Sequence, residues 1–175
     1  IFLNSKFGPF CIVTAGLIEN KEKLEAMLFK KGLSFSEVSQ HGVNATELVA
    51  KLISLGDNII DGIEKMFDRI EGSCSLLILN KDGIYAARDK LGYTPLVIGR
   101  KNDEWAVASE SNSLPNLGFA VKKFLGPGEI ILLNEKGLTA KRGACGKCRV
   151  CSFLWIYTGF PASTYEGINV ETVRE

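Results

Sequence analysis

The sequence predicts an α+β domain built on antiparallel sheet, and three observations carry that prediction. Residues 71–109 hold apolar runs at 74–79, 84–87, 96–98 and 105–108, separated by turn chemistry, which reads as an antiparallel meander. Two stretches ahead of it place apolar residues at helical spacing. The 18 glycines suit a turn-rich sheet, and 46% hydrophobic with 23% charged residues is the balance of a globular protein.

Taken in order, the chain opens on a polar loop with a turn over residues 4–8. Residues 9–13 follow as a short apolar strand, with Pro9 first, where its missing N–H does least harm. Cys11 in that strand reads as a small buried hydrophobe. Asn20 caps a helix with Leu24, Met27 and Leu28 on one face and Gly32 closing it. Residues 33–38 are a strand candidate, and the polar turn after them exposes His41, the one histidine.

Asn44-Ala45-Thr46-Glu47 has the pattern of a capping box, opening a helix that turns Leu48, Val49, Leu52 and Ile53 inward. Asp57 or Asn58 caps the next helix, whose Ile59, Ile60, Ile63, Met66, Phe67 and Ile70 form a wide apolar stripe that needs a sheet to lie on. Asp82-Gly83 and Asn102-Asp103 supply the hairpin tips of the meander. Between them, residues 88–95 form a salt-bridged bend with Gly92 and Pro95, where one hairpin hands over to the next. A polar loop at 109–115 leads to short strands at 120–124, 129–133 and 138–141. Aromatic and β-branched content makes 153–157 a strand, and 159–163 reads as a linker.

At 175 residues the chain is one domain of ordinary size. A net charge of +1 gives no electrostatic reason to expect nucleic acid or an anionic membrane. No apolar run reaches the length of a membrane span, so the cytoplasm is the default location. The start at Ile1 and the abrupt end lead us to expect a piece of a longer protein.

Cys145-Gly146-Lys147-Cys148-Arg149-Val150-Cys151 sets three thiols at Cys-x-x-Cys-x-x-Cys spacing. Such thiols can converge on an iron–sulfur cluster or zinc, with a fourth ligand from His41, a carboxylate or outside these residues. The alternative is a reduced thiol cluster in a flexible loop, made reactive by Arg142, Lys147 and Arg149.

Arg88-Asp89-Lys90-Leu91-Gly92-Tyr93-Thr94-Pro95-Leu96 is the least generic stretch, preceded by Glu71-Gly72-Ser73 and followed by Ala108-Ser109-Glu110. With Gly126-Pro127-Gly128-Glu129-Ile130 and Phe153-Leu154-Trp155-Ile156-Tyr157 with Pro161 and Ser163, it resembles the glutamine-hydrolysing domain of class II glutamine amidotransferases. Among these it is most similar to the amidophosphoribosyltransferases. The resemblance implies the four-layer α-β-β-α sandwich of N-terminal-nucleophile hydrolases, with two antiparallel sheets. It implies an amidotransferase-like domain over residues 1–144, incomplete at its N-terminus. Residues 145–175 would be a cysteine cluster and the start of a connection to a phosphoribosyltransferase domain lying outside this sequence. The implied chemistry is glutamine to ammonia to phosphoribosylamine, in purine nucleotide biosynthesis, by a homo-oligomer. Some of these enzymes carry an iron–sulfur cluster whose first cysteine resembles Cys151.

The departures from the family pattern fall on the chemistry. The family attacks its amide with an N-terminal cysteine, and none stands at Ile1. Where the family has His-Asn-Gly, whose Asn side chain and Gly N–H receive the oxyanion, this chain has Thr14-Ala15-Gly16. Losing one such donor costs roughly a hundred- to a thousand-fold in rate. Where the family has Ser-Asp-Thr-Glu, this chain has Asn44-Ala45-Thr46-Glu47, so Ala45 replaces the carboxylate that pairs with the ammonium of glutamine. A charge-assisted hydrogen bond of that kind contributes about 1.5–3 kcal/mol. Residues 1–175 contain no acidic-pair loop for a pyrophosphate-bound Mg²⁺, so phosphoribose transfer is not expected of this stretch. Two readings follow: an amidophosphoribosyltransferase-type enzyme seen in part, or a non-catalytic pseudo-amidotransferase with a regulatory, metal-binding or partner-docking role. In either, the pocket would take glutamine or another small molecule.

Overall fold

A computed structural model describes residues 1–36, 38–39 and 42–175. The chain opens not on a loop but on a hairpin, β1 (Phe2–Ser5) and β2 (Gly8–Ile18). Ser5 and Gly8 close its tip in register. Helix α1 (Lys21–Lys30) follows, with Leu24 and Leu28 buried. Asn20 stands at its cap position, but its side chain spans instead to the Arg69 carbonyl and the Glu71 N–H, tying the helix start to the end of a later helix.

The strand expected at 33–38 is not formed over 33–36. Two-residue strands β3 (Val38–Ser39) and β4 (Gly42–Val43) pair instead. The turn carrying His41 lies outside the described residues. Helices α2 (Ala45–Ser54) and α3 (Ile59–Arg69) bury the stripes read from the sequence, and Asn58 rather than Asp57 caps α3, its side chain accepting from Asp61 N–H.

The predicted meander is divided between two sheets. Strands β5 (Gly72–Asn80) and β6 (Gly83–Ala87) form one hairpin, and β7 (Val97–Lys101) and β8 (Glu104–Ala108) another. The bend between them takes the chain out of the first sheet. The one-turn helix α4 (Ser113–Asn116) interrupts the expected polar loop. Strand β9 (Ala120–Phe124) joins β7, while β10 (Ile130–Asn134) and β11 (Gly137–Arg142) complete the first sheet. The larger sheet is six-stranded, ordered β1-β2-β5-β6-β10-β11, and the smaller is three-stranded, ordered β8-β7-β9.

Strand periodicity explains the layering. Phe10 and Ile12 of β2 and Leu76 and Ile78 of β5 face α1–α3 and are buried with them in one core. The opposite face of β6 and β10, through Ala86, Ile131 and Leu133, meets Leu96, Ile98 and Leu125 in a second core. Behind the small sheet, Leu114 of α4 lies against Gly99, where a Cβ would come within 2.8 Å of it. The stack is therefore helices, sheet, sheet and a thin helical layer. The small sheet leaves part of the large one bare: Val13 and Leu17 are 58% and 67% exposed. Cys11 shares that face and is exposed, contrary to the buried position expected, because its neighbours Phe10 and Ile12 take the core side.

The tail departs from its predicted form. Residues 153–157 are not a strand; Leu154–Thr158 is a π-helical turn, with Gly159 N–H donating to the Leu154 carbonyl at 2.7 Å. Tertiary packing overrides β propensity here: Trp155 buries against Tyr165 and Val170 and donates its indole N–H to the Ile168 carbonyl. Strands β12 (Thr164–Tyr165) and β13 (Ile168–Asn169) and helix α5 (Val170–Arg174) complete this unit. The expected linker is tied down, since Glu110 accepts from Phe160 N–H at 2.6 Å and from the Ser163 hydroxyl at 2.9 Å.

Candidate functional site

Two segments that the resemblance assigns to amide chemistry meet in space. Asn44 is extended, and its Oδ1 accepts from the N–H groups of Thr46 at 2.9 Å and Glu47 at 3.3 Å, which starts α2. That turn aims the Thr46 hydroxyl at β2, where Thr14 Oγ1 lies 2.7 Å from Thr46 Oγ1. Glu47, buried, accepts twice from Ser36 N–H, at 2.9 and 3.1 Å, and pairs with Lys51 at 3.2 Å, tying Ser36 to the first turn of α2. The two hydroxyls are joined to each other, and the residues that follow Thr14 and precede Thr46, Ala15 and Ala45, are both exposed.

Gly16 is required here for packing. It has φ +149°, and a Cβ on it would lie 2.2 Å from the Ser73 carbonyl oxygen on β5. Its presence is therefore explained without an oxyanion. Beside the corner, between the two sheets, is a cavity of about 160 Å³ bordered by Thr14, Ala15, Ser75, Thr94, Val107 and Ser109. None of its lining side chains is charged. A zwitterionic amino acid would find no counter-ion among them.

The bend at residues 88–95 is a scaffold of buried charge. Arg88 and Asp89 are 2% and 1% exposed and do not pair with each other. Asp89 accepts from the N–H groups of Leu91 at 3.0 Å, Tyr93 at 3.2 Å and Thr94 at 2.9 Å. The Ser75 hydroxyl lies 3.2 Å from Asp89 Oδ2 and 2.9 Å from the Thr94 carbonyl, and accepts Asp89 N–H at 3.0 Å. Arg88 donates to the carbonyls of Leu125 and Gly92, each at 2.6 Å, and pairs with Glu166 at 2.5 Å; its Nε has no partner. Lys90 reaches outward to Asp68 at 2.7 Å. Sequence reading missed Glu166 and, for Glu110, which it named only as flanking the motif, the tie to residues 160–163. The signal for the first was Arg88 itself, a cation in a strand-end motif that needed an acid from elsewhere.

The cysteines are dispersed. Cys74 lies in β5 facing the helices, and burial, helped by the charge of Asp89, pushes its thiol up to about 12, so it is inert. Cys145 accepts from Arg142 at 3.5 Å, and Cys148 from Arg88 at 3.6 Å. Burial raises the Cys148 thiol, with the Arg88 charge opposing. Among the described residues no three His, Cys, Asp or Glu side chains form a group able to hold a metal. Nor is any helix among them long and apolar enough to cross a membrane.

Comparison with known proteins extends this geometry. A family model described as a glutamine amidotransferase domain matches residues 2–116. The amidophosphoribosyltransferase of Methanocaldococcus jannaschii is 30% identical over 189 residues, a match covering 99% of this chain and 40% of that protein. The amidophosphoribosyltransferase of Bacillus subtilis is 28% identical, with 100% of this chain and 36% of the relative covered. The structure of glutamine phosphoribosylpyrophosphate amidotransferase from B. subtilis, complexed with ADP and GMP, superposes with a TM-score of 0.87 at 28% identity. That superposition covers 99% of this chain and 38% of the other. The chain thus spans 40% or less of the length of these relatives.

Proposed function

We propose that this chain, which belongs to the glutamine amidotransferase domain family, is the amide-handling domain of an amidophosphoribosyltransferase-type protein whose grip on glutamine has lapsed in this stretch. The Thr14–Thr46 hydroxyl contact at 2.7 Å carries the reading. It supports the reading by bringing together the two segments that the resemblance assigns to the amide, at positions whose residues lack the family's donor and carboxylate. Ala15 offers no side-chain donor to an oxyanion, and Ala45 no carboxylate to an ammonium. The neighbouring cavity supplies no charge in their place.

In this reading the transferase chemistry belongs to a phosphoribosyltransferase domain elsewhere in the polypeptide, and the present domain contributes scaffold and docking surface. The extra length of the relatives supports such a partner domain. The test is ammonia release from glutamine by the full natural polypeptide, set beside phosphoribosylamine formation from free ammonia. Ammonia-dependent synthesis without glutamine-dependent synthesis is the expected result. Glutamine-dependent turnover at about 1 s⁻¹ or faster would overturn it.

A further inference from the structure

The Cys-x-x-Cys segment is not absorbed by the amide reading, and its surroundings give it a chemistry of its own. We propose that Cys145 and Cys148 are a dithiol pair that closes to a disulfide on exchange with a small-molecule disulfide such as oxidised glutathione. The two sulfurs rest on adjacent turns, one at Gly92 and one at Gly128, that share an acceptor. The N–H groups of Gly92 and Gly128 donate to a single acceptor, the Asp89 carbonyl, at 3.1 and 3.0 Å. Cys148 Sγ lies 2.6 Å from where a Cβ on Gly92 would stand, and Cys145 Sγ 2.6 Å from the same point on Gly128. Two neighbouring glycines are thus each capped by one of the thiols.

The backbone between them is already turned. Gly146 has φ +77°, and the segment is pinned at both ends, by Cys145 N–H to the Pro127 carbonyl at 2.8 Å and Arg149 N–H to the Leu91 carbonyl at 2.6 Å. Each sulfur also has a guanidinium against it, from Arg142 and from Arg88. Both cysteines are half-buried, open enough for a small disulfide to reach. Cys11 and Cys74 are fixed in strands of the large sheet.

The exchange balances in two displacements. The Cys145 sulfur attacks the donor disulfide, loses its proton to solvent and releases one small thiolate, forming a mixed disulfide. The Cys148 sulfur then attacks Cys145 Sγ, loses its proton and releases the second. Two protein thiols are oxidised and one small disulfide is reduced to two thiols. Because a disulfide holds its sulfurs about 2.05 Å apart, at least one sulfur must leave its glycine. The bridge therefore acts on the bend that Asp89 organises.

The test treats the natural protein with oxidised glutathione, then counts thiols and maps disulfides by mass spectrometry. Within residues 1–175, two of the five thiols should be lost, in one Cys145–Cys148 bridge that dithiothreitol reopens. Cys148→Ser should trap glutathione on Cys145, and Cys151→Ser should leave the bridge unchanged. Retention of all five thiols, a bridge mapped to Cys148–Cys151, or zinc released from these cysteines on oxidation would each overturn the proposal. None of these outcomes bears on glutamine, so the proposal stands or falls apart from the amide reading.

Discussion

The bend built on Asp89 and the corner built on Thr14 are neighbours through Ser75, whose backbone pairs with Ala15 and whose hydroxyl serves Asp89. At the bend, three N–H groups and a hydroxyl converge on one carboxylate, and a buried arginine reaches three separate stretches of chain with its Nε left unpartnered. At the corner, the backbone has the same order, but the exposed residues beside the two hydroxyls are alanines. The difference separates what the fold requires from what amide chemistry requires. Buried polar groups left without partners cost stability wherever they lie. A lost oxyanion donor costs only rate, and the fold does not register it.

The comparison can be broken at several points. Asp89→Ala should destabilise most, by about 3–5 kcal/mol in urea unfolding, because three amides and a hydroxyl lose their acceptor in a dry bend. A loss below about 1 kcal/mol would mean the bend does not organise the fold. Gly16→Ala should follow at about 2–4 kcal/mol, since the new Cβ would meet the Ser73 carbonyl at 2.2 Å. A neutral result would return Gly16 to a purely chemical role.

Cys74, paired with Gly16 across the strands, gives a test in pH. Its thiol is raised from 9.0 to about 12 in the folded chain. The stability this reflects is complete below the unfolded value and is lost as pH climbs from 9.0 towards 12. The slope should be about 1.4 kcal/mol per pH unit in that window, and Cys74→Ala should flatten it in unfolding curves run between the two limits. At the corner the effects shrink. Thr14→Val should cost about 1 kcal/mol, and a double-mutant cycle with Thr46→Val should show the two hydroxyls coupled. Ala45→Asp should change stability by only about 0.5 kcal/mol, in the stabilising direction, because a carboxylate there sits at the start of α2.

Much of this was legible in the sequence, for physical reasons. The apolar stripes of α2 and α3 are dense enough that any sheet would bury them, and Asn44 and Asn58 cap as their chemistry dictates. The pairing of β5 with β6 followed from Asp82-Gly83. The division of the meander between two sheets was not legible, because local turn chemistry records that a strand ends, not which sheet the next one joins. The strand predicted at 153–157 failed for a related reason: Trp155 found its partners ten or more residues ahead, in Tyr165, Ile168 and Val170. At the site, Ala15 and Ala45 are read from the sequence alone, as residues standing where the resemblance expects Asn and Asp. The Thr14–Thr46 contact spans 32 positions and had no local signature.

Glutamine titrated calorimetrically into the full natural polypeptide tests the central claim most directly. The account predicts no saturable heat at millimolar glutamine, because neither Ala45 nor the uncharged cavity wall can hold an ammonium. A saturable isotherm that is lost when Thr14 or Thr46 is replaced by valine would contradict it, by showing that this corner still binds the amide's owner.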